Sequence, residues 1–99
     1  MDVYYELNDA SFVWNDLKAK NNPGKHGGVT FQQAATVFFD PLFRLVDAER
    51  KDEARDAIVG FDAVGRLLFV VHIQLESEFI RIISARPATQ KERRDHEHS

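Results

Sequence analysis

Cysteine is absent from this 99-residue chain, which excludes a disulfide framework, a thiol nucleophile and any cysteine-ligated zinc site. Long apolar runs are missing too: none approaches the roughly 18 residues that span a bilayer. The start, Met1-Asp2-Val3-Tyr4-Tyr5-Glu6, lacks the basic-then-apolar order of a secretory signal. The expected setting is therefore the cytoplasm, with no membrane partner. No glycine-rich phosphate loop is present, because Gly24, Gly27 and Gly28 follow no strong strand and no Lys-Ser/Thr pair accompanies them. Histidines and acids occur without H-E-x-x-H or comparable ligand spacing, so neither a metal nor another cofactor is expected. A general excess of positive charge is also lacking, since the formal net charge is -3, and this argues against a chain that binds nucleic acid indiscriminately.

What is present is an ordinary globular composition, 43% hydrophobic and 29% charged, on a chain long enough for one core and one domain over residues 1–99. Its charge is unevenly spread. From Ile80 to Arg94 there are five Lys/Arg against one Glu, where an apolar strand runs into a basic helix. Arg81 lies inside that strand, where a cation is costly unless it is paired or faces a ligand, and Arg86 stands at the strand-to-helix joint.

Residues 1–11 read as an extended lead-in with Val3, Tyr5 and Leu7 weakly alternating, before a short strand at Phe12-Val13-Trp14. Asn15 can cap a helix through about Asn22, which Pro23-Gly24 would stop, leaving His26 on a turn. Thr30-Phe31-Gln32-Gln33 has the form of a capping box, and the apolar spacing behind it predicts a helix over about 31–39, ended by Asp40-Pro41. Strands are expected over Leu42–Val46 and Ala54–Phe61, separated by a charged loop over Asp47–Glu53. Two more follow at Arg66–Ile73 and Phe79–Ala85, with turns at Asp62-Ala63-Val64-Gly65 and Glu76-Ser77-Glu78, which implies an antiparallel meander. Thr89-Gln90-Lys91-Glu92 is a second capping box opening a C-terminal helix with almost no apolar residues, followed by a polar tail over 95–99.

Several short motifs fall in one order: Phe12-x-Trp14, Lys18, Asn22, Lys25-His26-Gly27, Phe31-x-x-Ala34-Ala35-x-Val37-Phe38, Asp40-Pro41, Glu53-x-Arg55, Gly60, Gly65-Arg66, and the run from Ile80 through Ala88-Thr89 to Glu92-Arg93. Together they resemble the BrnT family of toxins. The resemblance spans about Phe12 to Arg94. It implies an α+β, RelE-like fold: an antiparallel sheet of about four strands packed with two N-terminal helices and a C-terminal helix. It also implies ribonuclease toxicity and a cognate antitoxin that carries a DNA-binding domain, through which alone operator DNA would be met. A toxin homodimer bridged by antitoxin is a further expectation. The sequence departs from the family pattern at Asn15, at Pro23-Gly24, at an apparent insertion at Gly28 and in its N-terminal extension.

Metal-independent RNA cleavage needs a base for the ribose 2′-hydroxyl, cations for the pentavalent phosphate and an acid for the leaving oxygen. His26 is the candidate acid/base because its ordinary pKa lies near neutrality, with Lys25 favouring the neutral form; its alternative role is a loop histidine capping the preceding helix. Arg55, Arg81 and Arg86 are the candidate phosphate ligands. Simple alternation groups Arg81 with Phe79, Ile83 and Ala85, and groups Arg55 with Ala57, Val59 and Phe61, each pattern setting one cation on an apolar side. Arg81 could instead pair with Glu53 or Glu78, and Arg86 could anchor the C-terminal helix. Lys18, Lys25 and Arg93 are candidate RNA-binding cations. His72 is open as general acid or as a cross-strand polar residue, and His96 and His98 read as tail residues without a role. Most aromatics fall on buried phases, leaving Tyr4 or Tyr5 as an RNA-stacking candidate. Three functional readings stay open: an endoribonuclease that cleaves RNA and inhibits translation, a non-catalytic module acting through antitoxin binding and autoregulation, or a RelE-like scaffold that inhibits another target such as a topoisomerase.

Overall fold

The computed structural model describes residues 1–47, 55–76 and 78–98. The lead-in is not a loose extension. Val3, Tyr5 and Leu7 alternate toward the interior, and Asn8 and Asp9 both take positive φ (49° and 68°), so they form a two-residue hairpin turn. Strand β1 (Asp2–Leu7) therefore pairs antiparallel with β2 (Ala10–Asn15). Next come α1 (Asp16–Lys25), α2 (Phe31–Val37), β3 (Arg44–Val46), β4 (Asp56–Phe61), β5 (Leu67–Gln74), β6 (Phe79–Pro87) and α3 (Gln90–Glu97). The strands form one six-stranded sheet in the order β1-β2-β6-β5-β4-β3. All neighbours are antiparallel except β2 and β6, which run parallel.

This corrects the expected sheet of about four strands. Among the described residues it has six, and α1 and α2 follow a β-hairpin instead of opening the fold. The expected meander is present as β4, β5 and β6. All of the expected charged loop except Asp47 lies outside the described residues, as do Ala54 and, in the expected turn, Ser77.

Both capping boxes form. Thr30 accepts from Gln33 N while Gln33 reaches back to Thr30, and Thr89 and Glu92 do the same for α3. Asn15 caps α1 through Lys18 N. Pro23 and Gly24 do not end α1 but lie within its last turn. There proline forfeits the bond its missing N–H would give the Ala19 carbonyl, and its ring crowds that carbonyl. The helix ends one step later at His26, where Gly27 and Gly28 adopt positive φ and Gly28 N donates to Pro23 O at 2.8 Å. That left-handed pair closes the helix in a way β-carbon-bearing residues resist, so Gly28 is part of the cap.

One sheet face packs on α1 and α2. Phe12 and Trp14 from β2, Ile58 from β4, Leu68 and Val70 from β5, and Ile82 and Ala85 from β6 meet Val29, Phe31, Ala34, Ala35 and Val37 in a buried core. Asn22, only 4% exposed, fastens α1 to that core: its Nδ2 donates to Val29 O and Ala85 O, each at 2.8 Å.

Candidate functional site

Ile82 and Ala85 both face the core, although they stand three positions apart and simple alternation would place them on opposite sides. The cause is a bulge in β6: Ser84 pairs with Val71 and Ile82 with His72, which leaves Ile83 as an extra residue. The expected grouping of Arg81 with Ala85 is therefore wrong. The bulge instead brings Arg81, opposite Ile73, and Arg86, opposite Phe69, to one face of the sheet. That face is the one away from α1 and α2.

Arg55 directly precedes Asp56, which pairs with His72, and continuing β4 by one residue sets its backbone level with the Ile73–Arg81 pair. Sheet spacing puts the Arg55 and Arg81 backbones roughly 10 Å apart across Ile73. Arg86 lies roughly 13 Å further along the sheet. Arg81 and Arg86 thus share a surface, and the Arg55 backbone lies at its Arg81 end.

Arg81 does not pair with Glu78. Its Nη1 and Nη2 donate to the two carboxylate oxygens of Asp2 at 3.1 and 2.9 Å, a two-point contact from the edge strand β1. Hydrogen bonding from Arg81 holds the Asp2 carboxyl below its ordinary value, and Asp2 in turn raises the arginine. Both side chains stay partly accessible, 28% for Arg81 and 37% for Asp2. Tyr4, on the same side of β1, is 67% exposed and meets Phe79 edge to face at 5.6 Å, whereas Tyr5 packs on Trp14.

Arg86 is built into the framework. Its guanidinium lies 4.1 Å from the centre of the Phe69 ring and donates to both carboxylate oxygens of Glu92 at 2.8 Å. Glu92 also accepts from Thr89 N, so one carboxylate closes the helix cap and ties it to the sheet. Arg86, first among these contacts, keeps the Glu92 carboxyl below its ordinary value against the opposing effect of burial. Further along α3, His96 meets the Phe61 ring at 5.6 Å and its Nε2 lies 3.0 Å from Leu42 O. Residues 95–97 are therefore helical and His96 is packed, which corrects the expected polar tail. Between α3 and the sheet lies a cleft of about 770 Å³ that touches Arg44, Val59, Phe69 and Arg86 but neither Arg55 nor Arg81.

His26 is the half-buried C-cap residue of α1, a helix that packs on the core side of the sheet. The next residue, Gly27, is packed against Pro87 and accepts from Arg66 Nη2 at 3.1 Å. Lys18 and Lys25 are exposed on the same helix, also away from the arginine row. Arg93 is exposed on α3, on the arginine side. His72 faces the core at 6% exposure, 4.9 Å from the Phe38 ring centre, and burial lowers its pKa. His72 therefore sits in the core, edge to face with Phe38, on the side of the sheet opposite Arg81 and Arg86.

Asp2 is the residue that reasoning from sequence missed. Its signal was the alternation of Val3, Tyr5 and Leu7 followed by Asn8-Asp9, two residue types that tolerate positive φ. Among the described residues no group of three or more His, Asp or Glu is placed to hold a metal, and no helix is long and apolar enough to cross a membrane.

Comparison with known proteins supplies context for this geometry. A family model described as the ribonuclease toxin, BrnT, of type II toxin-antitoxin systems matches residues 14–92. The crystal structure of the Brucella abortus ribonuclease toxin BrnT superposes with a TM-score of 0.60 at 22% identity, covering 78% of this chain and 94% of that one. The likeness establishes a shared α+β fold. Comparison with curated proteins gave no match.

Proposed function

The chain belongs to the BrnT family of type II toxin-antitoxin ribonuclease toxins, and from this premise we propose that it cleaves RNA on the sheet face carrying Arg55, Arg81 and Arg86. The observation that carries the reading is the β6 bulge, which turns Arg81 and Arg86 to one face of the sheet. In the proposed reaction a ribose 2′-hydroxyl attacks the adjacent phosphorus and passes its proton to water. The bond to the 5′-oxygen then breaks as that oxygen takes a proton from water, leaving a 2′,3′-cyclic phosphate and a 5′-hydroxyl. Charge builds on the non-bridging oxygens between these events, and guanidinium groups stabilise it.

Arg81 suits this role because its fork already holds two oxygens of one carboxylate, the geometry in which arginine also grips a phosphate. Arg55, level with it, supplies a second cation. Arg86 acts as a positioning residue, fixing α3 beside the face through Glu92. His26 is assigned to the α1 cap and not to proton transfer. Cleavage needs no metal in this scheme, and loss of messenger RNA inhibits translation. Family membership implies an antitoxin. A DNA-binding domain on that partner, operator contact through it and a toxin homodimer complete the proposal.

A second reading has its own support. Both Arg81 and Arg86 hold carboxylates in the free chain, so the face also suits acidic groups of an antitoxin without turnover. One experiment separates the two. Purified chain, freed of antitoxin, is incubated with a defined transcript in EDTA and the new ends are mapped. Fragments with 5′-hydroxyl ends, lost in Arg81→Ala, support the nuclease; intact RNA with a folded protein that still binds its antitoxin supports the binding module.

A further inference from the structure

Strand β1 precedes the residues that the family model matches, yet it places two side chains beside Arg81. Asp2 and Tyr4 lie on the same side of β1, and the registers Tyr4–Val13 and Val13–Arg81 set the tyrosine level with the arginine, two strands away. We propose that β1 adds a nucleotide subsite to the arginine face, in which the Tyr4 ring stacks on a base of single-stranded RNA while Arg81 holds the neighbouring phosphate where the Asp2 carboxylate now sits. The proposal rests on the RNA-cleaving reading given above and extends it to substrate binding.

Three observations meet here. Tyr4 is 67% exposed, and an exposed ring on a sheet edge contributes little to a core. Phe79 holds it at an interplanar angle of 76°, which steadies the ring without stacking a parallel partner on it. Aromatic rings so presented accept any base, because every base has a π face. Asp2 meanwhile occupies Arg81 with the two-oxygen geometry of a phosphate. Ion pairs this accessible are weak, so a phosphodiester that gains stacking from the next base can displace the carboxylate. Asp2 thus acts as a place-holder that keeps Arg81 aimed at the face and makes RNA compete for it. Tyr5, packed on Trp14, has no such role.

The test uses the full chain without antitoxin and a fluorescent single-stranded RNA oligonucleotide, 2′-O-methylated throughout so that it cannot be cleaved. Binding is followed by anisotropy. Tyr4→Ala is expected to weaken binding about tenfold. Tyr4→Phe, which keeps the ring, should bind as the parent does. Asp2→Asn should tighten binding about threefold, because it removes the competing charge. Circular dichroism checks that each variant is folded. Absence of binding by the parent chain, or Tyr4→Ala binding within twofold of it, overturns the subsite. So does an unchanged RNA affinity accompanied by weakened antitoxin binding, which would make the patch a protein interface. Parent chain that binds the oligonucleotide with the expected Tyr4 dependence but fails to cleave unmodified RNA upholds the subsite and removes the nuclease. Cleavage with KM unaltered in Tyr4→Ala does the reverse.

Discussion

Replacing Asn22 by alanine probes the joint that sets α1 on the side of the sheet away from Arg81 and Arg86. The side chain is 4% exposed and its Nδ2 makes two 2.8 Å bonds, to Val29 O in the loop before α2 and to Ala85 O in β6. A longer contact of 3.4 Å runs from Ala85 N to Oδ1. Alanine leaves two buried carbonyls without these donors, at about 1–3 kcal/mol each, so a loss of about 3 kcal/mol is expected. That is a large share of the roughly 5–15 kcal/mol available to a domain, but it leaves the chain folded. With a urea m-value of about 1.5 kcal/mol/M, the unfolding midpoint should fall by about 2 M with the slope unchanged. Asn22→Asp keeps the shape but turns a carboxylate toward two carbonyl oxygens, and should cost more than alanine at neutral pH. A midpoint drop below about 0.5 M for alanine, or an aspartate variant as stable as the parent, would refute the reasoning.

Two predictions concern pH. Glu92 has its carboxyl held below the ordinary 4.5, so its bond to Arg86 contributes fully above that value and is lost as pH falls through the lowered native pKa. Helical dichroism and the His96 ring signals should report α3 leaving the sheet in that acidic window, and Glu92→Gln should flatten the response. His72 is shifted below its ordinary 6.5 chiefly by burial, with the Asp56 charge opposing. Above 6.5 both folded and unfolded states hold it neutral. Below 6.5 the unfolded chain protonates first, so stability should decline from there down to the lowered native pKa. His72→Phe should remove this slope in urea titrations across pH 5–7, and an identical slope in the variant would count against a buried, neutral imidazole.

Local chemistry was legible in the sequence. The capping boxes at Thr30 and Thr89, the cap at Asn15 and the meander β4–β6 each depend on residues a few positions apart, and the structure has them all. Features that depend on distant pairing were not. Nothing near Ile83 marks it as a bulge; that follows from how β6 meets β5, and it reverses the side of every later residue in the strand. The partner of Arg81 lies 79 positions away in β1. Pro23 and Gly24 looked like a stop because breaker rules consider the helix alone, whereas Asn22 ties this last turn to β6 from outside. His26 and the arginines were sought as one site on chemical grounds; α1 packs on one face of the sheet, Arg81 and Arg86 extend from the other, and the His26–Gly27 turn lies at the Pro87 end of β6.

The central claim is that the Arg55–Arg81 end of the sheet, and not the His26 turn, does the chemistry. Single-turnover cleavage of one RNA in EDTA, with Arg81→Ala, Arg55→Ala and His26→Ala compared at equal folded fraction, tests it most directly. Removal of a donor that stabilises transition-state charge should slow each arginine variant by about 100-fold or more, while His26→Ala stays within about threefold of the parent. Loss of cleavage in His26→Ala alone, with both arginine variants unaffected, would contradict the account.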